Sequence, residues 1–269
     1  MLPATPPRVV LLSLLRAGDP GFWRLQPLAQ QLLSESERRE FGRVRSAAVR
    51  GRRIVCRAWL RLLLGESLGT EPSRVVLERG VPGRRELARG PRGVFTVSPS
   101  DGAIAVAVLR PPWTGAGWRI GVDIETPRRP RTADLADALY SAAEQAWLDG
   151  LPAADREAGF LLLWTLREAV LKADGRGLAT DLRLIRPHPP AVSLPLPRDG
   201  IHLPLAESAL VDPPRWCCWV RQDGAALTAL AAQAPGRCGL LSVDLEQVDE
   251  ATAIARMQAA LPACMPLSA

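Results

Sequence analysis

The segment from Asp155 to Asp174 most constrains the fold, because it predicts a long helix that cannot stay exposed to water. The helix is expected to end at Gly175, since glycine commonly follows the last helical turn. Residues 160–164 read Phe-Leu-Leu-Leu-Trp, which is too apolar for a surface helix. We therefore expect a buried helix whose few polar side chains line a cleft.

Both halves of the chain combine one main helix with several strands. In the first half, apolar residues recur at helical spacing from 54 to 63, and the helix is expected to end before Gly65. A shorter helix is predicted near 25–33. Strands are predicted at 8–15, 75–77, 94–97, 103–109, 118–125, 183–186, 216–221 and 226–232. This alternation predicts an α/β fold and suggests an internal duplication.

Two short patterns predict where further helices begin. Ser34 is followed by Glu37, and Ser141 by Glu144, which is the spacing of a capping box. A proline and glycine-rich stretch at 111–117 is a candidate linker. We therefore predict a basic N-terminal lobe at 1–112, a second lobe at 113–235, and a C-terminal extension at 236–269 of unknown role, with a helix after Asp249.

Composition narrows the class of protein. The chain has 269 residues, of which 47% are hydrophobic and 23% charged, as in a soluble globular protein. The apolar run at 9–15 is too short to span a bilayer and is expected to be a strand. The five cysteines show no metal-binding spacing, so free thiols in a reducing cytoplasm are expected.

Charge is distributed unevenly along the chain. Residues 35–95 hold fifteen arginines against seven glutamates, which indicates either a polyanionic partner or simply solvated helices. Only two histidines are present, His188 between two prolines and His202 two residues before Pro204, so a histidine-built zinc site is not expected. Any metal should be a hard cation bound by carboxylates.

Two carboxylates lie close together on one predicted strand. In Gly-Val-Asp-Ile-Glu at 121–125, the two-residue period of a strand places Asp123 and Glu125 on one face, with Val122 and Ile124 on the other. Neighbouring carboxylates repel each other, so they need a cation, a basic partner or bulk water.

The long helix adds a third carboxylate and an unusual cation. Of 34 basic side chains, Lys172 is the sole lysine. Trp164, Glu168 and Lys172 are spaced four residues apart and therefore share one helix face. An ammonium can donate a proton in catalysis whereas a guanidinium is a poor donor, so the survival of one lysine here indicates a chemical role.

These segments together resemble a known family. Residues 121–125, followed by Trp-Thr-Leu-Arg-Glu-Ala-Val-Leu-Lys-Ala-Asp-Gly-Arg-Gly-Leu at 164–178, resemble the paired signature of the Sfp-type 4′-phosphopantetheinyl transferases. The similarity extends from about residue 34 to 232. It implies an α/β (α+β) fold of two similar lobes related by a pseudo-twofold axis, each a small sheet packed against a long helix, with coenzyme A bound in the cleft between them.

The resemblance also implies a reaction and its residues. The 4′-phosphopantetheine of coenzyme A would pass to a serine of an acyl or peptidyl carrier protein, as in the holo-acyl-carrier-protein synthase type of transferase. Asp123, Glu125 and Glu168 would bind magnesium, with Glu168 as general base and Lys172 acting on the leaving phosphate. The implied contacts to coenzyme A come from Arg38, Arg52, Arg84, Ser98, Arg167 and Lys172. A monomer in the cytoplasm is expected, without nucleic acid or membrane.

One departure from the family pattern leaves alternative functions open. The family has a histidine after the serine of its strand-end motif, but Ser98 is followed here by Pro99, which has neither a side-chain donor nor a backbone N–H. A catalytically weakened member of the family is one alternative. A nucleic-acid-binding protein with arginine-rich helices and a magnesium-dependent phosphohydrolase are the others, although no base-reading motif is present.

Overall fold

The computed structural model of the protein describes ten segments of the chain. They are residues 9–17, 22–80, 85–111, 117–127, 139–175, 185–187, 192–203, 205–208, 215–234 and 242–261. Helices and strands alternate through these segments, so the prediction of an α/β fold is confirmed.

Six α-helices lie in the described segments. They are α1 (Gln26–Leu32), α2 (Glu35–Gly42), α3 (Ala47–Leu68), α4 (Ala142–Gly150), α5 (Arg156–Asp174) and α6 (Glu250–Ala259). Short 3₁₀ turns at Phe22–Leu25 and Pro72–Arg74 precede α1 and follow α3. Among the described helices, none is both long and apolar enough to cross a bilayer.

Twelve strands accompany these helices within the described segments. They are β1 (Val9–Arg16), β2 (Leu77–Arg79), β3 (Arg85–Leu87), β4 (Phe95–Ser100), β5 (Ala103–Leu109), β6 (Arg119–Glu125), β7 (Ile185–Pro187), β8 (Ile201–Leu203), β9 (Leu205–Ser208), β10 (Arg215–Asp223), β11 (Ala226–Ala234) and β12 (Ser242–Val248). The strand predicted at 75–77 begins two residues later than expected. The linker residues 112–116 lie outside the described segments.

Two four-stranded sheets organise the molecule. The first has the order β12-β1-β5-β4 and packs against α3, and the second has the order β6-β11-β10-β8 and packs against α5. Within the first sheet, β12 runs parallel to β1 and the other pairs are antiparallel. Each four-stranded sheet therefore packs against one long helix, as predicted, and in the described segments β2 with β3 and β7 with β9 form two further two-stranded sheets.

The helix α3 ends at Leu68, about one turn past its predicted end before Gly65. It begins at Ser46, whose side chain accepts a hydrogen bond from the N–H of Val49, and it is followed by Gly69 with a φ of 62°. The expected end before Gly65 is wrong, because this glycine serves packing. A Cβ at position 65 would lie 2.7 Å from the carbonyl oxygen of Thr70, so glycine lets the following segment fold back against the helix.

Both predicted capping boxes are confirmed. Ser34 caps α2 together with Glu37, and Ser141 caps α4 together with Glu144. In each box the glutamate accepts a hydrogen bond from the backbone N–H of the serine, at 2.9 Å and 2.8 Å respectively. These reciprocal bonds satisfy N–H groups that have no partner inside the helix.

Part of the basic N-terminal charge is used inside the first lobe. Arg57 Nη1 and Arg61 Nε each lie 2.7 Å from the carboxylate of Glu37. Burial acts to raise the pKa of Glu37, but hydrogen bonds from Arg57 and Ser34 and the charge of Arg61 outweigh it and lower the pKa below 4.5. These two arginines therefore stabilise the lobe and are not free for a polyanionic partner.

The C-terminal residues complete the first sheet. The predicted helix after Asp249 is present as α6, capped by that aspartate. The preceding strand β12 was not predicted, and its parallel pairing with β1 makes it an edge of the first sheet. Met257 of α6 is fully buried in the same hydrophobic core. Residues 242–261 thus pack as part of the first lobe, while the proposed lobe boundaries stay a prediction.

The cysteines differ from the expectation of five free thiols. Cys56 and Cys218 are free and buried, and burial raises the pKa of these thiols to about 11 and about 12. Cys217, however, is disulfide-bonded. The prediction of free thiols is therefore wrong for Cys217.

Candidate active site

The strand β6 and the helix α5 touch through their backbones at Gly121. A Cβ at this position would lie 1.9 Å from the carbonyl oxygen of Ala169 and 2.4 Å from the backbone nitrogen of Ala173. Only glycine allows so close an approach. The glycine of the strand motif, to which sequence analysis gave no role, therefore brings the polar face of α5 within reach of the two strand carboxylates.

Side chains of α5 pair with those of β6 at two positions. Trp164 Nε1 donates a hydrogen bond to Glu125 Oε1 at 3.0 Å, and Lys172 Nζ donates to Asp123 Oδ1 at 2.7 Å. Glu168 lies one turn from each of these helix residues, on the same face. The predicted strand face and helix face therefore meet, with Glu168 between the two pairs along the helix.

The first lobe contributes Ser98 of β4 to this cluster. Its hydroxyl donates to Asp123 Oδ1 at 2.7 Å and accepts from Lys172 Nζ at 2.9 Å. Ser98 and Asp123 are each only 4% exposed, whereas the Lys172 side chain is 30% exposed. The cluster thus joins both lobes and reaches solvent on its lysine side.

The carboxylates of this cluster are of the chemical type that binds a divalent cation. Asp123 Oδ2 is buried and accepts no hydrogen bond from the described residues, and Glu168 is only 9% exposed. Carboxylate oxygens are the ligands that Mg²⁺ prefers. In the described segments, however, no group of three or more His, Cys, Asp or Glu residues is arranged as a metal site. The residues therefore fit magnesium in type, and the ligand set stays a prediction.

The arginines predicted to contact coenzyme A do not form one cluster in the described segments. Arg52 Nη1 lies 2.7 Å from Asp101 in the turn between β4 and β5, and Thr126 Oγ1, at the end of β6, is 3.0 Å from Ser100 Oγ beside that turn. Arg52 is therefore near the junction of the lobes. Arg38 Nη1 donates to carbonyl oxygens at the end of α1, and Arg84 lies outside the described residues.

Arg167 is not brought together with the other predicted site residues. It is 1% exposed, and its Nη2 lies 2.7 Å from both carboxylate oxygens of Glu144. Its guanidinium also stacks on the Tyr140 ring, 4.6 Å from the centroid. Consecutive residues of a helix point about 100° apart, so Arg167 lies on a different face of α5 from Glu168. A phosphate could reach it only by displacing Glu144.

Replacing either partner of this pair should destabilise the protein. Arg167→Gln and Glu144→Gln should each lower the free energy of unfolding by about 3–5 kcal/mol, because each leaves one buried charge unpaired. The double variant should lose less than the sum of the two single losses. Urea unfolding of the four proteins measures both effects. If Arg167→Gln unfolds like the parent protein but binds coenzyme A more weakly, the arginine contacts the cofactor instead.

Comparison with known proteins assigns this site to a family. A sequence model of the 4′-phosphopantetheinyl transferase superfamily matches residues 119–226, from the start of β6 to the start of β11. The matched segment contains both signature motifs and the residues of β6 and α5 described above.

Three relatives carry the corresponding name. The chain is 31% identical to 4′-phosphopantetheinyl transferase HetI of Nostoc over 188 residues, or 65% of this chain and 74% of HetI. It is 29% identical over 168 residues to slr0495 of Synechocystis, whose name provisionally gives the same activity, covering 61% of this chain and 65% of that protein. Transferase psf-1 of Bacillus pumilus is 28% identical over 123 residues, covering 46% and 49%.

The chain thus spans just under two thirds of one of these relatives, about half of another and almost three quarters of HetI. The match to HetI extends well beyond the two short motifs, and the family model covers the segment in which β6 and α5 meet. On these grounds the chain belongs to the 4′-phosphopantetheinyl transferase superfamily.

Proposed function

We propose that this chain transfers the 4′-phosphopantetheine arm of coenzyme A to a serine of an acyl or peptidyl carrier protein and releases 3′,5′-ADP. The observation that carries the proposal is the 2.7 Å contact between Lys172 and Asp123. It joins the two signature motifs of the family at a point where both lobes meet. Family membership supports the same reaction class.

Magnesium is proposed as the metal, held by Asp123, Glu125 and Glu168. When bound, it would neutralise charge on the pyrophosphate of coenzyme A. The buried Asp123 Oδ2, which accepts no hydrogen bond within the described part of the chain, supports the assignment, because a buried carboxylate oxygen is costly to leave unsatisfied.

The chain's own side chains would move the protons. We assign Glu168 to accept the proton of the attacking serine hydroxyl, directly or through water, as its oxygen attacks the β-phosphorus of coenzyme A. The bond from phosphorus to the 3′,5′-ADP oxygen then breaks. Lys172 would stabilise or protonate that oxygen, and its partly exposed ammonium supports access to it.

Cofactor phosphates are proposed to contact Arg52, Arg38 and Arg84. The exposure of its partner supports this role for Arg52. The Asp101 side chain is 57% exposed, and such a surface ion pair is weak enough for a phosphate to replace the aspartate.

Carrier proteins are usually acidic around their serine, and exposed arginines of the first lobe, including Arg43 and Arg45, would attract them. Action as a monomer in the cytoplasm is part of the proposal.

The decisive experiment weighs the carrier. Purified chain, coenzyme A and MgCl₂ should add one phosphopantetheine mass to an apo acyl or peptidyl carrier protein, and EDTA should stop the reaction. Release of phosphopantetheine to water, with the carrier unchanged, would identify a phosphohydrolase. Unchanged carriers and unchanged coenzyme A, across both carrier classes, would overturn the proposed transfer.

A further inference from the structure

Ser98 of β4 makes two hydrogen bonds whose directions are fixed by chemistry. An ammonium can only donate, so the hydroxyl oxygen must accept from Lys172 Nζ at 2.9 Å. The hydroxyl proton is then left for Asp123 Oδ1 at 2.7 Å. Ser98 is 4% exposed, so water does not compete freely for these bonds. The serine therefore holds both partners in one arrangement.

Both donors act on the same oxygen of Asp123. Lys172 Nζ and Ser98 Oγ each lie 2.7 Å from Oδ1, while Oδ2 accepts no hydrogen bond from the described residues. Two donors from different elements fix the rotation of the carboxylate. They also leave Oδ2 as the oxygen that remains available to a cation.

We infer that Ser98 is a positioning residue that orients Asp123 toward the divalent cation, and not a direct ligand of coenzyme A. The inference rests on the proposed function and assigns Ser98 a different role from the cofactor contact that the family resemblance implies. Residues that orient a metal ligand typically change metal affinity 10 to 100-fold when replaced. Ser98 acts from the opposite lobe, so it also ties the cation site to the packing of β4 against β6.

The chain offers a matched control two residues away. Ser100 lies on the same strand, is 6% exposed, and its hydroxyl is 3.0 Å from Thr126 Oγ1 of the second lobe. Both serines are therefore buried residues whose hydroxyl groups contact the second lobe. Of these two serines only Ser98 contacts Asp123, so general loosening of the lobes and loss of carboxylate orientation can be separated.

Manganese titration without coenzyme A tests the inference directly. The paramagnetic signal of Mn²⁺, used in place of Mg²⁺, should report binding about tenfold weaker in Ser98→Ala than in the parent protein. Ser98→Cys, which keeps the shape but has only a weak S–H donor, should weaken binding similarly. Ser98→Thr, which keeps the hydroxyl, and the control Ser100→Ala should bind Mn²⁺ like the parent protein.

Steady-state kinetics then separate positioning from cofactor binding. In Ser98→Ala the magnesium concentration for half-maximal activity should rise while the KM for coenzyme A changes less than twofold. A raised KM with unchanged Mn²⁺ affinity would make Ser98 a cofactor ligand and overturn the inference. Equal weakening in Ser100→Ala, or a parent protein that binds no Mn²⁺, would also overturn it. Because the titration needs no turnover, failure of carrier modification alone would count against the proposed function and not against this role.

Discussion

Replacing Lys172 with arginine is expected to lower the turnover of carrier modification by about 100-fold or more, although the positive charge is kept. The ammonium lies 2.7 Å from Asp123 Oδ1 and 2.9 Å from Ser98 Oγ, and a planar guanidinium cannot reproduce this compact arrangement. A guanidinium is also a poor proton donor to a leaving phosphate oxygen. This explains why a chain that otherwise uses arginine keeps one lysine.

The measurement is kcat for transfer to a carrier protein, followed by mass, together with thermal unfolding. The reciprocal change Arg39→Lys is the control, because Arg39 forms an exposed pair with Glu35 on α2 and should tolerate the exchange. Unfolding temperatures should stay close to that of the parent protein in both variants. Turnover of Lys172→Arg within a few-fold of the parent protein would show that the site needs only a positive charge and no ammonium.

The carboxylates proposed to bind the cation should also be essential for transfer. Asp123→Ala and Glu168→Ala are each expected to remove nearly all transfer, because each variant loses a proposed cation ligand. Glu168→Ala also loses the proposed general base. Asp123→Ala also removes the buried carboxylate that pairs with Lys172, so its free energy of unfolding should fall by more than is usual for an exposed surface pair. Near-normal transfer in these two variants and in Lys172→Ala would remove the mechanism.

Local signals explain which parts of the fold could be predicted. The capping boxes at Ser34 and Ser141, the end of α5 at Gly175 and the two-residue alternation of β6 each depend on residues within one or two turns of the chain. The alternation also predicted the two faces of the strand, because Val122 and Ile124 enter the hydrophobic core while Asp123 and Glu125 meet α5.

Contacts between distant segments explain what could not be predicted. Ser13 of β1 donates to Glu246 of β12 at 2.7 Å across 233 residues, and no local pattern in residues 236–249 signals that strand pairing. The contact between Ser98 and Asp123 likewise depends on how the lobes meet. The pairing of Arg167 with Glu144 could not be predicted either, because the motif does not show which face of α5 turns toward α4.

The second large effect is expected from Gly121→Ala, which adds one methyl group where β6 meets α5. The new Cβ would lie 1.9 Å from the Ala169 carbonyl oxygen, and backbone atoms of a helix cannot move aside as a flexible side chain can. We expect the free energy of unfolding to fall by about 3 kcal/mol or more. The helix must shift away from the strand, so the contact of Lys172 with Asp123 should lengthen and transfer should fall as well.

Gly42→Ala gives the matched control, because a Cβ at this position in the last turn of α2 meets nothing within 4 Å. Alanine there should leave stability unchanged or raise it by up to about 1 kcal/mol, since it lowers the entropy of the unfolded chain and favours helix. Urea unfolding and carrier modification should therefore separate the two glycine variants clearly. A Gly121→Ala protein with parental stability and turnover would mean that β6 and α5 do not approach closely in solution, and the geometry proposed for the catalytic cluster would then be wrong.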